Sequence, residues 1–385
     1  MIKVELTKLF SPGKIGTIKI KNRIVRSATF EGMASREGYV RDELIELYTN
    51  LAQGGTGLII TGATAVDSRY SVGSRCQCLN DDSFMSGQQQ LVKAVHEYPD
   101  VKIGAQLAHN GRLGPHPKYK PVAPSPVIYK ATGKVPRELT TDEIEVIIKK
   151  FVAAGRRAFE CGYDLVQLHG CHGYLLSSFL SPYTNKRTDD FGGTTEKRTR
   201  ILIDIYNQLR DEVGKNYPIL VKMQVIDDIP GGLTIEEAKK IAKILVNVGY
   251  DAIEPSGGSS ELEMESSNHL PSKKIKNPED ENYLLPAAKE LKPLMRKIPL
   301  ILVGGIRNPL SAEKFLQEDS CDFISLSRPL INEPHLPNRW KAGDLTPASC
   351  VSCNSCLIAI FMGQPVHCAV RKKLERKKRR KQEGT

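Results

Sequence analysis

A chain of 385 residues that is 40% hydrophobic and 26% charged has the composition of a folded globular protein, which excludes a fibre or a largely disordered polymer. Its formal charge of +11 invites a nucleic-acid function, but residues 371–385 (RKKLERKKRRKQEGT) carry nine Lys or Arg against two Glu, leaving +4 for the first 370 residues. No apolar run is long enough to span a bilayer, and the opening MIKVELTKLFSPGK lacks the apolar core of a signal peptide, so a cytoplasmic location is expected.

In chain order, strand-like runs rich in β-branched and apolar residues occur at 20–30 (IKNRIVRSATF), 57–63 (GLIITGA), 101–107 (VKIGAQL) and 163–169 (YDLVQLH). Four more follow at 219–223 (ILVKM), 251–255 (DAIEP), 300–304 (LILVG) and 322–327 (DFISLS). Helical periodicity fills the gaps at 41–53, 142–161, 196–213, 235–248, 283–296 and 311–318. Start signals stand at Thr141 and Asp142 and at Thr234 with Glu237. Eight alternating units in one chain predict an α/β fold, a (β/α)8 TIM barrel over residues 1–345. A cysteine-rich extension over 346–370 follows, then a basic tail over 371–385 expected to be solvated and mobile. The connections 115–136 and 257–280 are long, as lids or substrate walls tend to be.

The stretch that organises the chain begins at the fourth strand, which breaks at once into His169-Gly-Cys-His172-Gly-Tyr174. In a parallel barrel the chemistry sits on the loops after the strands, because the scaffold below is rigid. A lone histidine there is usually a satisfied core residue. Two histidines and a tyrosine within six residues predict a site in which His169 and His172 present N–H donors to one oxygen and Tyr174 gives a proton nearby.

Strand seven ends in Val303-Gly304-Gly305-Ile306-Arg307 and strand eight in Ser327-Arg328-Pro329, each leading into a helix. Bare glycines let backbone N–H groups approach an anion, helix N-termini add positive dipole ends, and Arg328 offers a fork to phosphate oxygens. Barrels of this class commonly hold a phosphate after these two strands. Further on, Cys350, Cys353, Cys356 and Cys368 form a C-x2-C-x2-C-x11-C pattern that suits a 4Fe-4S cluster, zinc, or free thiols. Cys76, Cys78, Cys161, Cys171 and Cys321 have no such spacing and are expected to be packed thiols.

Several motifs together carry a resemblance: Asn22-Arg23-Ile24-Val25, Gln106-Leu-Ala-His109-Asn-Gly-Arg112, His169-x-x-His172-Gly-Tyr174-Leu-Leu with Phe179-Leu-Ser-Pro182, and Asn185-x-Arg187-x-Asp189-Asp-x-Gly192-Gly193. With the two phosphate segments, they make residues 9–368 similar to the old yellow enzyme family of FMN-dependent ene-reductases. The cysteine spacing resembles the branch that includes 2,4-dienoyl-CoA reductase and trimethylamine dehydrogenase. The resemblance implies FMN across the barrel mouth, held by Ala28, Thr29, Ala63, Gln106 and Lys222, with its phosphate at Gly304, Gly305, Ser327 and Arg328. Lys222 stands where many relatives have arginine, and Phe30 where they often have Thr or Cys.

By the same resemblance, His169 and His172 polarise the carbonyl of an α,β-unsaturated compound, hydride reaches its β carbon, and Tyr174 protonates the α carbon. Electrons come from NAD(P)H or from a separate redox partner protein through the cysteine site. The Asn185–Gly193 segment braces the site loop, and the protein is expected to form a homo-oligomer. Nucleic acid is not an expected partner, because the basic residues are confined to the terminus without an aromatic stacking platform.

Overall fold

The computed structural model describes residues 5–114, 118–259 and 271–382. Eight parallel strands form its centre: β1 (Ile24–Arg26), β2 (Leu58–Ala65), β3 (Lys102–Ala108), β4 (Leu165–Gly170), β5 (Ile219–Ile226), β6 (Ala252–Gly257), β7 (Ile301–Leu302) and β8 (Phe323–Leu326). Each pairs with the next from β1 to β6, β7 pairs with β8, and β8 returns to β1. A parallel bridge between Ile253 of β6 and Leu300, just ahead of β7, joins the two ends into a barrel. All eight predicted strands are present. The first is shorter than its apolar run implied, because Ile18–Ile20 pairs instead with Gly13–Ile15 as an antiparallel hairpin.

That hairpin closes the N-terminal end of the barrel. Its Ile15 and Ile20 form a buried cluster with Val25, Leu58, Leu165, Leu220, Ile301 and Phe323, the residues that begin the strands. Removing each large aliphatic side chain from water is worth about 1.5–3 kcal/mol, so the floor is a dry, rigid base. The opposite end has a polar lining.

Around the strands lie α1 (Asp42–Gln53), α2 (Met85–His96), α3 (Thr141–Glu160), α5 (Thr195–Val213), α6 (Ile235–Val248), α7 (Leu285–Leu291) and α8 (Pro309–Gln317), while the short α4 (Leu175–Leu180) follows the site loop. Their inward stripes follow helical spacing, as in α3, which buries Ile144, Ile147, Ile148, Phe151 and Val152. A capping box of Thr140 and Glu143 starts α3, and Thr234 caps α6 by accepting from the Glu237 N–H. Helix α2 has no counterpart among the predicted elements. Gly87 and the run Gln88–Gln90 dilute its apolar stripe of Leu91, Val92 and Val95. The helix expected over 283–296 is split, because Pro293 turns its second half into a 3-10 turn.

After β8 come α9 (Arg328–Asn332), α10 (Leu336–Lys341), α11 (Ser355–Phe361) and α12 (Ala369–Gln382). The cysteine-rich extension is tied across the C-terminal ends of the strands. The Ala348 N–H donates to Arg307 O at 2.8 Å, Arg307 Nη1 to Cys350 O at 3.0 Å, and the Val366 N–H to Glu31 O at 2.8 Å. The basic tail, expected to be mobile, is helical through Gln382. Lys, Arg, Glu and Gln are good helix formers, and Arg371 anchors the first turn by donating to Asn332 O at 2.7 Å. Residues 115–117 and 260–270, within the two long connections, lie outside the described residues. The described parts of the first connection include a short parallel pair, Val122–Ala123 with Arg137–Glu138.

Candidate active site

Apart from the four extension cysteines, the predicted site residues sit within the barrel strands or just past their C-terminal ends. Register places them in a layer: Ala63 is opposite Gln106, Gln106 opposite Gln167, His169 opposite Lys222, and Lys222 opposite Glu254. Partners across a ladder present their side chains to the same face, so this layer forms the upper lining of the barrel.

The layer is a closed hydrogen-bond network. Lys222 Nζ lies 2.8 Å from Glu254 Oε1 and donates to Ser27 Oγ at 2.9 Å. Ser27 and Ser325 hydroxyls donate to the same carboxylate oxygen at 2.8 and 2.9 Å, and Gln167 Nε2 donates to Glu254 Oε2 at 2.8 Å. Gln106 Nε2 completes the chain by donating to Gln167 Oε1 at 2.8 Å. Burial alone would raise the Glu254 carboxyl, but Lys222 and these donors hold it below the usual carboxylate range. The Lys222 ammonium is therefore fixed in place and half neutralised from beneath.

Above this layer, the rings of His169 and His172 meet edge to face with centroids 5.3 Å apart, and Tyr174 stands 4.6 Å from His169. His172 has a left-handed backbone, φ 67°, which costs a non-glycine residue about 1 kcal/mol. Gln224 holds that turn. Its Oε1 accepts from the His172 N–H at 2.7 Å while its Nε2 donates to Ile226 O, Asp227 Oδ1 and Gly258 O. Burial pushes the His169 imidazole down to about 3 and the His172 imidazole well below its ordinary value, and Lys222 adds to both, so both rings are neutral. Burial raises the Tyr174 phenol above its usual range, so it is protonated at neutral pH.

Two further contacts bear on the tautomers, and in each either atom can be the donor. Cys171 Sγ lies 3.4 Å from His169 Nδ1, and Ser256 Oγ lies 2.7 Å from His172 Nε2. With burial raising its pKa, the Cys171 thiol stays protonated and can donate to Nδ1, leaving a proton on His169 Nε2. A hydroxyl proton donated by Ser256 leaves one on His172 Nδ1.

A cavity of about 130 Å³ opens beside the histidines, lined by Ala28, His172, Lys222, Gly304, Ser327 and Arg328 among others. It suits an anion at its far end. Gly304 and Gly305 have φ of 117° and 78°, and a Cβ on Gly305 would stand 2.9 Å from the Tyr283 ring and 3.0 Å from Ile275. Thr29 and Ser327 hydroxyls lie 2.8 Å apart on the adjoining strands. A flat ring across the mouth with a phosphate over the glycines fits this donor set, so the residues present suit FMN. Arg328 lines this cavity too. Its Nη1 donates to Lys273 O at 2.8 Å, Ser352 O at 3.1 Å and Asn354 Oδ1 at 2.8 Å, which ties the guanidinium to the extension.

Cys350, Cys353, Cys356 and Cys368 line a second cavity on the other side of Arg328. Burial raises the Cys350 and Cys356 thiols while Arg328 opposes it, and hydrogen bonds around Ser355 bring the more exposed Cys353 below the usual thiol range. Among the described residues, the compact metal-type group of side chains is His169, Cys171 and His172, whose ligand atoms lie within 4.8 Å of one another; the four tail thiols do not form one.

Other predicted residues are structural. His109 is buried against Tyr70 with ring centroids 4.7 Å apart, and Arg112 donates to Val127 O and Ile128 O, so both shape the third loop. Asn185 Nδ2 donates to Phe179 O and Phe191 O, and Arg187 joins Asp189 to Pro124 O and Leu139 O, which ties the segment to α4 and to residues 124 and 139. Glu254, Gln167, Gln224, Ser256 and Cys171 are site residues that motif reading passed over. A glutamate within a strand that has to be buried on both faces was the available signal for Glu254.

Residues 8–346 match the model of the NADH:flavin oxidoreductase / NADH oxidase family. The chain is 38% identical to the NADH oxidase of Thermoanaerobacter brockii over 369 residues, which covers 94% of the chain and 55% of the oxidase. It thus spans about half the length of that relative. Among solved structures, 2-naphthoyl-CoA reductase in complex with 2-naphthoyl-CoA superposes with a TM-score of 0.87 at 29% identity, covering 94% of this chain and 57% of that one. The old yellow enzyme homologue from Zymomonas mobilis superposes with a TM-score of 0.74 at 27% identity, covering 88% and 94%. Barrel, motifs and family match agree: the chain belongs to the NADH:flavin oxidoreductase / NADH oxidase family, that of the old yellow enzymes.

Proposed function

We propose that the protein is an FMN-dependent oxidoreductase that uses NAD(P)H to reduce the C=C bond of an α,β-unsaturated carbonyl compound. The observation that carries this reading is the meeting of two neutral imidazoles and a protonated phenol beside a buried ammonium at the barrel mouth. Bound FMN supplies hydride-transfer chemistry, from NAD(P)H to a polarised alkene.

The chain's own residues do the rest. His169 Nε2–H and His172 Nδ1–H donate to the carbonyl oxygen, drawing charge toward it as it becomes an enolate. Neutral rings can do this without surrendering a proton. Tyr174 gives its proton to the α carbon, and a phenol held protonated by burial is matched to a basic enolate. Lys222 places positive charge where a reduced flavin ring gathers negative charge, and Glu254 limits it. The apolar floor excludes water from below.

The cysteine extension favours a second role beside the first. Arg328 lines both cavities, so a 4Fe-4S cluster held by the four thiols would stand next to the flavin site and supply single-electron exchange with a protein partner. Anaerobic turnover with NADH and NADPH against enones, enoates and enoyl thioesters tests the main reading. Acceptor-dependent oxidation of the nicotinamide is expected with at least one class. Flavin reduction with no reoxidation by any of them would leave electron transfer to a partner in its place.

A further inference from the structure

His169, Cys171 and His172 have the make-up of a metal chelate: two imidazole nitrogens and a sulfur, all within 4.8 Å of one another. We propose that this triad binds a soft divalent cation of the zinc or cadmium class. Two nitrogens and a thiolate are the donors such ions prefer. A tetrahedral ion sits 2.0–2.3 Å from each donor and so needs them roughly 3.3–3.8 Å apart. Cys171 Sγ and His169 Nδ1 already stand at 3.4 Å, and the set closes with side-chain shifts of about an ångström.

The surroundings support a chelate. Gln224 fixes the His172 backbone, and Ser256 Oγ at 2.7 Å from His172 Nε2 either orients the ring or joins the coordination shell. Tyr174, with its ring 4.6 Å from that of His169, flanks the open position. The nearby cation, Lys222, is paired with Glu254 at 2.8 Å. Entry is through the mouth, because His172 lines the cavity there. On binding, the Cys171 S–H bond breaks, its proton leaves to solvent and a sulfur–metal bond forms, with nothing oxidised or reduced.

This inference concerns the same site as the proposed reductase but is read without turnover, so either can fail alone. Cadmium is titrated into the purified protein and followed by thiolate-to-cadmium absorption and equilibrium dialysis, first in a Cys353→Ser/Cys356→Ser background that removes competing tail thiols. One equivalent is expected, with affinity at least about ten-fold weaker and the absorption lost when Cys171→Ala is added. In the otherwise unaltered protein, Cys171→Ala alone should remove one equivalent from the total bound. Equal binding with and without Cys171 in both backgrounds overturns the proposal.

Discussion

The barrel mouth and the cysteine-rich extension meet at Arg328 and treat their polar groups in opposite ways. In the mouth, a buried ammonium and a buried carboxylate satisfy one another, and serines and glutamines from neighbouring strands take up the remaining lone pairs. In the extension, Phe361 and Met362 are 68% and 71% exposed, Cys353 is exposed, and Ser352 and Asn354 adopt left-handed backbones although neither is glycine. The mouth is a preorganised surface whose shape is set by the barrel. The extension has little core of its own, and its path is dictated by side-chain hydrogen bonds to Arg328 and by the convergence of four thiols. Preorganisation of the first kind is what charge stabilisation needs.

The largest effect should come from the mouth's chemistry. Tyr174→Phe should slow enone reduction by about 10²–10⁴-fold while leaving reduction of the flavin by NAD(P)H intact, as rapid-mixing absorbance of the two half-reactions would record. Breaking the buried pair tests the scaffold beneath. Glu254→Leu strands a buried ammonium and should cost about 3–5 kcal/mol in chemical denaturation, and the double change Lys222→Met/Glu254→Leu should recover much of it. A single change no worse than the double one would show that the pair is not the keystone described.

Acid should act on the same region. His169 and His109 are buried with pKa values near 3, so unfolding lets each take up a proton once the pH falls below about 6.5. Their contribution to stability is therefore full above that pH and is lost as the pH falls toward 3. By pH 5 each should have lost roughly 2 kcal/mol, visible as a falling Tm that His109→Gln makes less steep. A smaller effect is expected at the cradle. Gly305→Ala forces a Cβ against Tyr283 and Ile275 at positive φ and should weaken FMN binding by about 1–3 kcal/mol, read by fluorescence quenching. Smallest of all, Phe361→Ser in the extension should change stability by less than about 0.5 kcal/mol, since its ring is already in water.

How much of this was legible depends on whether its causes are local. The eight strands could be read because β-branched runs announce themselves, and His169, His172 and Tyr174 because they fall within a span of six residues. Helix α2 could not be read, because three glutamines hide its stripe and one of them, Gln88, turns out to be buried. The Glu254 network was equally hidden. Its members come from positions 27, 106, 167, 222, 254 and 325, and only barrel closure brings them together. The cysteine spacing was plain in the sequence, whereas the anchoring of Arg328 by Asn354 and Ser352 depends on how the extension folds back.

The central claim is that a flavin mononucleotide lies across this mouth with its phosphate over Gly304 and Gly305. The most direct measurement is the flavin released on denaturing the purified protein, quantified per chain and repeated after stripping and reloading with FMN. One FMN per chain, recovered on reloading in the parent and weakened in Gly305→Ala, is the result expected. A colourless chain that takes up no FMN, although its circular dichroism shows a folded barrel, would contradict the account.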